Sequence, residues 1–454
     1  MTQDFDAIIV GAGQAGPPLA GRLTAAGRRV AMVERKLFGG TCVNTGCMPT
    51  KTLIASARAA HVARRAADFG VMIDGGFRID MQVVKARKDT VARNARQGVE
   101  SWLRGMAGCS VFEGHARFTS ATEITVGDAV LRAPQIFLNV GGRAAIPDMP
   151  GIDTVPYLTN VSLMELTDLP RHLVIVGGSY IGLEFAQMMR RFGSEVTVIE
   201  KGPRLISRED PDVSAAVREI LASEGIAIHL NADDIRFAPR GADVVVGVTP
   251  GTEVVGSHLL MAVGRRPNTD DLGLGAAGVL RDARGYITVD DQLRSNVPGI
   301  WALGDCNGRG AFTHTAYNDF EILADNLLDG ATRKVTDRIE TYALFIDPPM
   351  ARVGLSEDQA RRAGHRVQVG HRPMTRVGRA VEKDETAGFM KIVVDADTQA
   401  VLGATLLGVG ADEAIHGILD TMAAKAPYPV LKHAMHIHPT VAELIPTLLG
   451  ELKP

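Results

Sequence analysis

Cysteine is scarce in this chain: four residues in 454, at positions 42, 47, 109 and 306. So few thiols exclude the disulfide framework of a small secreted domain, and the fold must rest on buried cores. Long hydrophobic runs are absent too, none approaching the roughly 18 residues that a membrane span needs. The N-terminal Met-Thr-Gln-Asp-Phe-Asp carries neither the basic stretch nor the apolar segment of a signal peptide. Neither sign of charge dominates, since 49 Lys and Arg against 52 Asp and Glu leave a net charge of −3. Such a balance gives no reason to expect nucleic acid or an anionic membrane as partner. These absences point to a cytoplasmic protein. What is present, 46% hydrophobic and 22% charged residues, is an ordinary globular composition, and the length predicts two to four domains with sizeable cores.

Glycine is where the pattern begins. A short apolar strand, Asp6 to Val10, runs into Gly11-Ala-Gly13-Gln-Ala-Gly16, a helical stretch follows to about Gly27, and a second strand runs from Arg29 to Glu34. Strand, glycines, helix, strand and acid form a dinucleotide-binding fingerprint. Gly11 makes the tight turn, Gly13 admits a pyrophosphate, Gly16 lets helix and strand pack closely, and Glu34 bonds a ribose hydroxyl. Pro17 and Pro18 belong in a first helical turn, so the helix starts no earlier than Gln14.

The unit recurs. Leu173 to Val176, the turn Gly177-Gly178-Ser179-Tyr180-Ile181-Gly182, the helix Leu183 to Phe192 and the strand Glu195 to Glu200 repeat it, offset by 166 positions at both ends (11 to 177, 34 to 200). Two such units imply two dinucleotides. Ser179 occupies the place of the second glycine and puts the pyrophosphate geometry there in question. Glu200, at the strand end, accepts bonds from a ribose 2′-hydroxyl and repels a 2′-phosphate, which favours NADH over NADPH. Lys201 and Arg204 follow and are placed to soften that preference.

Between the two units stands Gly39-Gly-Thr-Cys42-Val-Asn-Thr-Gly-Cys47-Met-Pro-Thr-Lys51. In a regular helix the two cysteine α-carbons would lie roughly 7.5 Å apart along the axis, whereas a disulfide needs about 4.4–6.8 Å. The pair can bridge only if the backbone is distorted, which Gly46 and Pro49 allow. A bridge of that kind is strained and accessible, the sort that is catalytic. Cys109 and Cys306 read as small buried hydrophobes.

With these motifs the sequence resembles, over nearly its whole length, the FAD-dependent pyridine nucleotide–disulfide oxidoreductases, which include dihydrolipoamide dehydrogenase, glutathione reductase, mercuric reductase and the reactive-chlorine-resistance reductases. The resemblance implies an α/β fold with two Rossmann-like dinucleotide-binding domains and a C-terminal α+β dimerisation domain. The divisions are an FAD-binding domain over 1–147 and 267–337, an NAD(P)-binding domain over 148–266 and an interface domain over 338–454. Pro147 to Gly151 reads as a linker. The composition from 338 changes to strands Tyr342–Phe345, Arg366–His371, Gly388–Val394 and Val401–Leu407, with no further glycine fingerprint. Residues 71–104 read as helix with a charged connection.

The resemblance also implies roles. FAD is held by Gly11, Gly13, Gly16 and Glu34, with Gly40, Thr41, Lys51, Gly141, His115 and Ala116 (at the adenine), Asp305 (on the ribityl chain) and His314, Thr315 and Ala316 at a helix start. NAD(P) is held by Gly177, Gly178, Ser179, Tyr180, Ile181, Gly182, Glu200 and Gly264. Lys51 pairs with Glu184 near the flavin. His438, beside Pro439 at an expected helix start, pairs with Glu443 as an acid–base facing the partner subunit's disulfide. No metal site is expected, and His433 and His436 read as structural. Reducing equivalents then pass from NADH through FAD to the Cys42–Cys47 disulfide and on to a disulfide, thiol, metal-ion or oxidant substrate in a homodimer. The missing C-terminal cysteine pair and N-terminal thiol-rich domain weigh against mercury. The segment Phe312 to Phe320 and Met48-Pro-Thr favour the mercuric-reductase-like or stress-reductase branch over dihydrolipoamide dehydrogenase. An alternative of another class is an NADH-binding redox sensor with an idle disulfide.

Overall fold

The computed structural model describes residues 2–454. Its first sheet has five parallel strands in the order Ile300–Ala302, Gln135–Leu138, Ala7–Val10, Val30–Glu34, Cys109–Glu113. The central strand, Ala-Ile-Ile-Val, is buried at every residue. A strand covered on both faces reads as a continuous apolar run, which is why it was visible in the sequence. The second sheet is also parallel, ordered Ala227–His229, Glu195–Ile199, His172–Val176, His258–Met261. An antiparallel pair, Gly142–Ala144 with Arg265–Pro267, lies where the chain passes between the two sheets.

The C-terminal sheet is antiparallel, ordered Thr341–Leu344, Met350–Gly354, Val401–Leu407, Phe389–Asp395, Val367–Pro373. Met350–Gly354 escaped the sequence reading for a physical reason. Its one charged residue, Arg352, faces inward and pairs with the buried Glu209 at 2.9 Å, so no apolar–polar alternation marks the strand. Residues 71–104 resolve into a loop and one helix, Met81–Gly105, started by Asp80 accepting from the Val83 amide at 3.2 Å. Only Lys88 and Leu103 of that helix are fully buried, too thin a stripe to show as periodicity.

One apolar core brings the site together. It joins Leu53 and Ala57 of the helix Cys47–Arg64, Leu183, Phe185, Ala186 and Met189 of the helix Tyr180–Phe192, and Leu344, Ile346 and Phe389 of the C-terminal unit. Each of the Leu, Ile, Phe and Met side chains contributes about 1.5–3 kcal/mol on burial, enough together to fix three segments distant in sequence against one another. No helix among the described residues is long and apolar enough to cross a membrane.

Candidate active site

The two cysteines stand on different helices. Cys42 lies in the short helix Gly40–Asn44, the backbone breaks at Thr45 and Gly46, and Cys47 opens the 18-residue helix Cys47–Arg64. The distortion expected from Gly46 is therefore there. A Cβ at Gly46 would come within 2.8 Å of the Thr41 carbonyl oxygen, so no larger residue fits. Pro49 falls in the first turn of the new helix, where its missing amide hydrogen costs nothing. Asn160 clamps the break from the second unit by donating to the Thr45 carbonyl at 2.8 Å.

Both sulfurs are thiols in this structure. A hydrogen bond from Cys42 is the main reason the Cys47 thiol is lowered to about 6, aided by the Thr313 hydroxyl and the Lys51 charge against the opposing effects of burial and Glu184. The same bond, with burial, raises Cys42. The two shifts run in opposite directions, so ionisation of the pair favours Cys47. Cys306, buried and bonded to the Leu138 and Leu303 carbonyls, is pushed up to about 12 and is inert. Burial likewise raises Cys109 to about 11.

One turn beyond Cys47, Lys51 Nζ meets Glu184 Oε2 at 2.7 Å. Glu184 is 4% exposed, and its other oxygen accepts from the Phe345 amide at 3.0 Å. The Phe345 ring lies 4.6 Å from the same ammonium. The ammonium is therefore held by both the second unit and the C-terminal unit. Arg58, further along the redox helix, reaches Asp347, which Arg191 also contacts at 2.5 Å. The carboxylate and the aromatic face together fix the position of the amine beside the sulfurs.

The glycine cradles suit dinucleotides. Gly11 sits at φ 103° and Gly177 at φ 119°, a region that favours glycine. A Cβ on Gly16 would strike the Gly11 carbonyl, and one on Gly182 the Gly177 carbonyl. The N-cap residues of the helices Gly16–Ala25 and Tyr180–Phe192 make no side-chain cap, which leaves their first turns, apart from the Gly16 amide bonded to Asn139, to a phosphate. A Cβ on Gly40 would lie 2.9 Å from Gly13 Cα, so the segment Gly40–Thr41 closes over the first cradle. Glu34 accepts from the Ala12 amide at 2.9 Å, and Glu200 from the Gly178 and Gly202 amides at 2.6 and 2.7 Å. Gly141 and Gly264, both at positive φ, flank the two clefts.

Ser179 fits without strain. Its backbone is extended (φ −107°, ψ −177°). In the first unit a Cβ on Gly13 would come within 2.8 Å of Asn139 Oδ1; the residue facing the second turn, where Asn139 faces the first, is Ala262. A small residue there leaves room for a serine. Asn139 itself went unnoticed in the sequence, although it accepts from the Gly16 amide at 3.1 Å and donates to the Leu303 carbonyl. A polar residue directly after the buried apolar run Ile136 to Leu138 was the available signal.

Asp305 lies in a helical turn, Gly304–Asn307, where burial raises its carboxyl and Arg265, 3.5 Å away, only partly offsets it. A carboxylate so weakly partnered fits a ligand hydroxyl. Asp319 anchors this turn, accepting from the Gly304 amide at 2.7 Å and from Asn307 at 2.9 Å. His314 Nε2 lies 2.8 Å from the Thr341 carbonyl, with the ring stacked on Phe312, an arrangement for positioning rather than proton transfer. Thr315 bonds back to Phe312, and Ala316 is buried. His115 Nε2 is 3.0 Å from the Asp271 carbonyl, and Ala116 opens the strand Ala116–Ser120. The two cradles, the uncapped helices and Asp305 together fit FAD in the first unit and a pyridine nucleotide in the second. A bound flavin there supplies a two-electron relay between nicotinamide and disulfide.

His438 corrects an expectation. It does not start a helix: the His438–Pro439 bond is cis, and helical backbone resumes only at Ala442. The pair with Glu443 forms nonetheless, Nδ1 to Oε2 at 2.9 Å, because the intervening turn, closed by Thr440 accepting from the Glu443 amide at 3.2 Å, folds the carboxylate back.

Comparison with known proteins agrees with this geometry. The family described as pyridine nucleotide-disulphide oxidoreductase matches residues 5–319, and its dimerisation domain matches residues 341–449. The probable pyridine nucleotide-disulfide oxidoreductase RclA of Escherichia coli is 36% identical, with 99% of each chain covered. A mercuric reductase of Streptomyces lividans is 35% identical over 97% of this chain and 94% of its own. A dihydrolipoyl dehydrogenase of Chlamydia muridarum is 34% identical over 98% and 96%. The solved Cu(II) complex of the HOCl-induced flavoprotein disulfide reductase RclA from E. coli superposes with a TM-score of 0.91 at 35% identity, covering 99% of both chains. The chain is thus an oxidoreductase for FAD, a pyridine nucleotide and a redox disulfide, and it belongs to the pyridine nucleotide-disulphide oxidoreductase family.

Proposed function

We propose that Cys42 and Cys47 are the redox pair of an NADH-dependent reductase in the RclA-like and mercuric-reductase-like branch, acting on disulfides and thiophilic metal ions. The observation that carries this reading is the placement of Cys47 between Thr313, 3.3 Å from its sulfur, and the Lys51–Glu184 pair. In the reduced pair Cys42 exchanges with substrate: its sulfur bonds one substrate sulfur, and the other leaves as a thiol with a proton. The Cys47 thiolate then displaces the second substrate sulfur and re-forms the intramolecular bond. His438, oriented by Glu443 and supplied by a second copy in a homodimer, carries the protons. Gly11, Gly13, Gly16, Glu34, Gly40, Thr41, His115, Ala116, Gly141, Asp305 and the segment His314–Ala316 hold FAD. Gly177 to Gly182, Glu200 and Gly264 hold the nicotinamide cofactor. The same reading divides the chain at 147, 266 and 337.

Anaerobic titration with NADH tests it. The two-electron-reduced holoenzyme is expected to show a long-wavelength thiolate–flavin band. Cys47 is lowered to about 6 from an ordinary value of 9.0, so the band persists at neutral pH and fades as pH falls through about 6. A flavin reduced without any such band at neutral pH would leave the sensor reading standing. A turnover panel of lipoamide, glutathione disulfide, Hg(II), Cu(II) and quinones then identifies the acceptor. A soft thiolate beside a second thiol binds thiophilic metals; the Cu(II) complex of RclA, solved also for a cysteine-to-serine variant, supports only the inclusion of metal ions in the panel.

The preference for NADH rests on Glu200, whose two oxygens are pinned by the Gly178 and Gly202 amides. Replacing Glu200 with Ser should lower the ratio of kcat/KM for NADH over NADPH by about 10- to 100-fold, the worth of one charged hydrogen bond. An unchanged ratio in steady-state assays would remove Glu200 from that role.

A further inference from the structure

We propose that Arg352 and Lys391 of the C-terminal sheet are positioning residues for the pyridine nucleotide: through Glu209 and Asp210 they hold the segment 201–210 against the second glycine cradle. The proposal rests on the reading of Gly177 to Gly182 and Glu200 as the nucleotide site. One rung crosses the sheet, with Tyr342 opposite Arg352, Arg352 opposite Thr405 and Thr405 opposite Lys391. Residues paired in this way share a face, and Arg352, Thr405 and Lys391 are all buried there. Charged side chains are almost never fully buried unless paired. Here the partners come from the nucleotide-binding unit.

Arg352 meets Glu209 at 2.9 Å, with side chains 3% and 0% exposed, and the Tyr342 hydroxyl donates to the other Glu209 oxygen. Lys391 reaches Asp210 at 3.1 Å, Asp212 at 3.0 Å and Glu357 at 2.8 Å. Asp210 stands at the N-cap of the helix Pro211–Ser223, yet its carboxylate makes no cap there. It turns instead to the C-terminal unit, accepting from the Glu357 and Asp358 amides at 3.1 and 3.3 Å. A carboxylate that leaves its own helix start forgoes a favourable bond, which the contacts with Lys391 and these two amides replace.

What this clamp holds is a strained turn beside the cradle. Ile206 has φ 39°, an outlier for a β-branched residue, and such backbone persists only where its surroundings over-determine it. The Glu209 amide donates to the Ile206 carbonyl at 2.9 Å, and the Ile206 amide donates to the Gly178 carbonyl at 2.9 Å. Leu205 is buried against the same glycine, where a Cβ would come within 2.7 Å of its Cδ2. The Gly178 amide in turn donates to Glu200. Arg352, Glu209, Ile206 and Gly178 thus form an unbroken path from the C-terminal sheet to the cradle.

The test compares FAD-loaded wild-type protein with Lys391→Met and with the double variant Glu209→Gln/Arg352→Met. The double variant removes both charges of the buried pair, so that neither is left alone in the interior and the fold is kept. In each variant KM for NADH, and Kd for NAD+ measured by calorimetry on the oxidised enzyme, should rise roughly 3- to 30-fold. Turnover at saturating NADH should be retained, as should flavin reduction by dihydrolipoamide, which needs no nucleotide. Deuterium exchange over residues 200–210 should quicken in both variants and slow again when NAD+ is added. Unmoved KM and exchange in either variant, or a fall in kcat with KM unchanged, would overturn the proposal. Failure of the nucleotide-site reading shows separately, as NADH and NADPH kinetics left unmoved by Glu200→Ser.

Discussion

Cys47→Ser protein, loaded with FAD, is expected to lose disulfide turnover by a factor on the order of 10⁴ or more while keeping its flavin. The size of the effect follows from the chemistry. An alcohol neither ionises near pH 7 nor forms a sulfur–sulfur bond, so the pair can no longer be oxidised or reduced. The flavin stays because its cradle is built elsewhere, from the glycines at 11, 13 and 16 and the Asp305 turn anchored by Asp319. The checks are NADH oxidation with lipoamide or glutathione disulfide, and flavin content from absorbance. Full activity in this variant would remove the mechanism.

His438→Ala should lower turnover by about 10²- to 10⁴-fold, the usual worth of a positioned acid–base. Within one chain the His438 side chain is 80% exposed and bonds only Glu443 among the described residues. On the proposed reading it serves a thiol of a second copy, through the part of the chain that matches the family's dimerisation domain. That placement makes a sharper prediction. Chains carrying Cys42→Ala and chains carrying His438→Ala are each inactive alone. Mixed and reassociated, half the dimers are heterodimers, and each contains one site with both groups intact. Activity should return to about a quarter of wild type. No recovery, with heterodimers demonstrated by differently tagged chains, would mean that His438 does not serve the partner's sulfurs.

Much of the fold could be read from the chain because its signals are local. Gly11 to Glu34 and Gly177 to Glu200 each fit within one strand–helix–strand unit, where a positive φ or a close approach admits only glycine. Cys42 to Lys51 is likewise local, and Gly46 forecast the break between the two sulfurs. The helix Met81–Gly105 and the strand Met350–Gly354 were less legible. One buries too few residues, and the other buries an arginine.

The contacts that tune the sulfurs behave differently. Thr313 is 266 positions from Cys47, Phe345 is 161 from Glu184, and Asn139 is 123 from Gly16. None belongs to a repeating spacing, so nothing in a linear reading brings them together. Lys51 and Glu184, 133 apart, were joined only through family resemblance.

By itself the sequence determined the reactive groups and the cofactor cradles, since backbone sterics and short-range spacing dictate them. Only the tertiary structure decided which groups surround Cys47, what grips Lys51 and why Ser179 fits. Those depend on side chains from three separate segments packed into one apolar core, and packing is a property of the folded chain, not of its order.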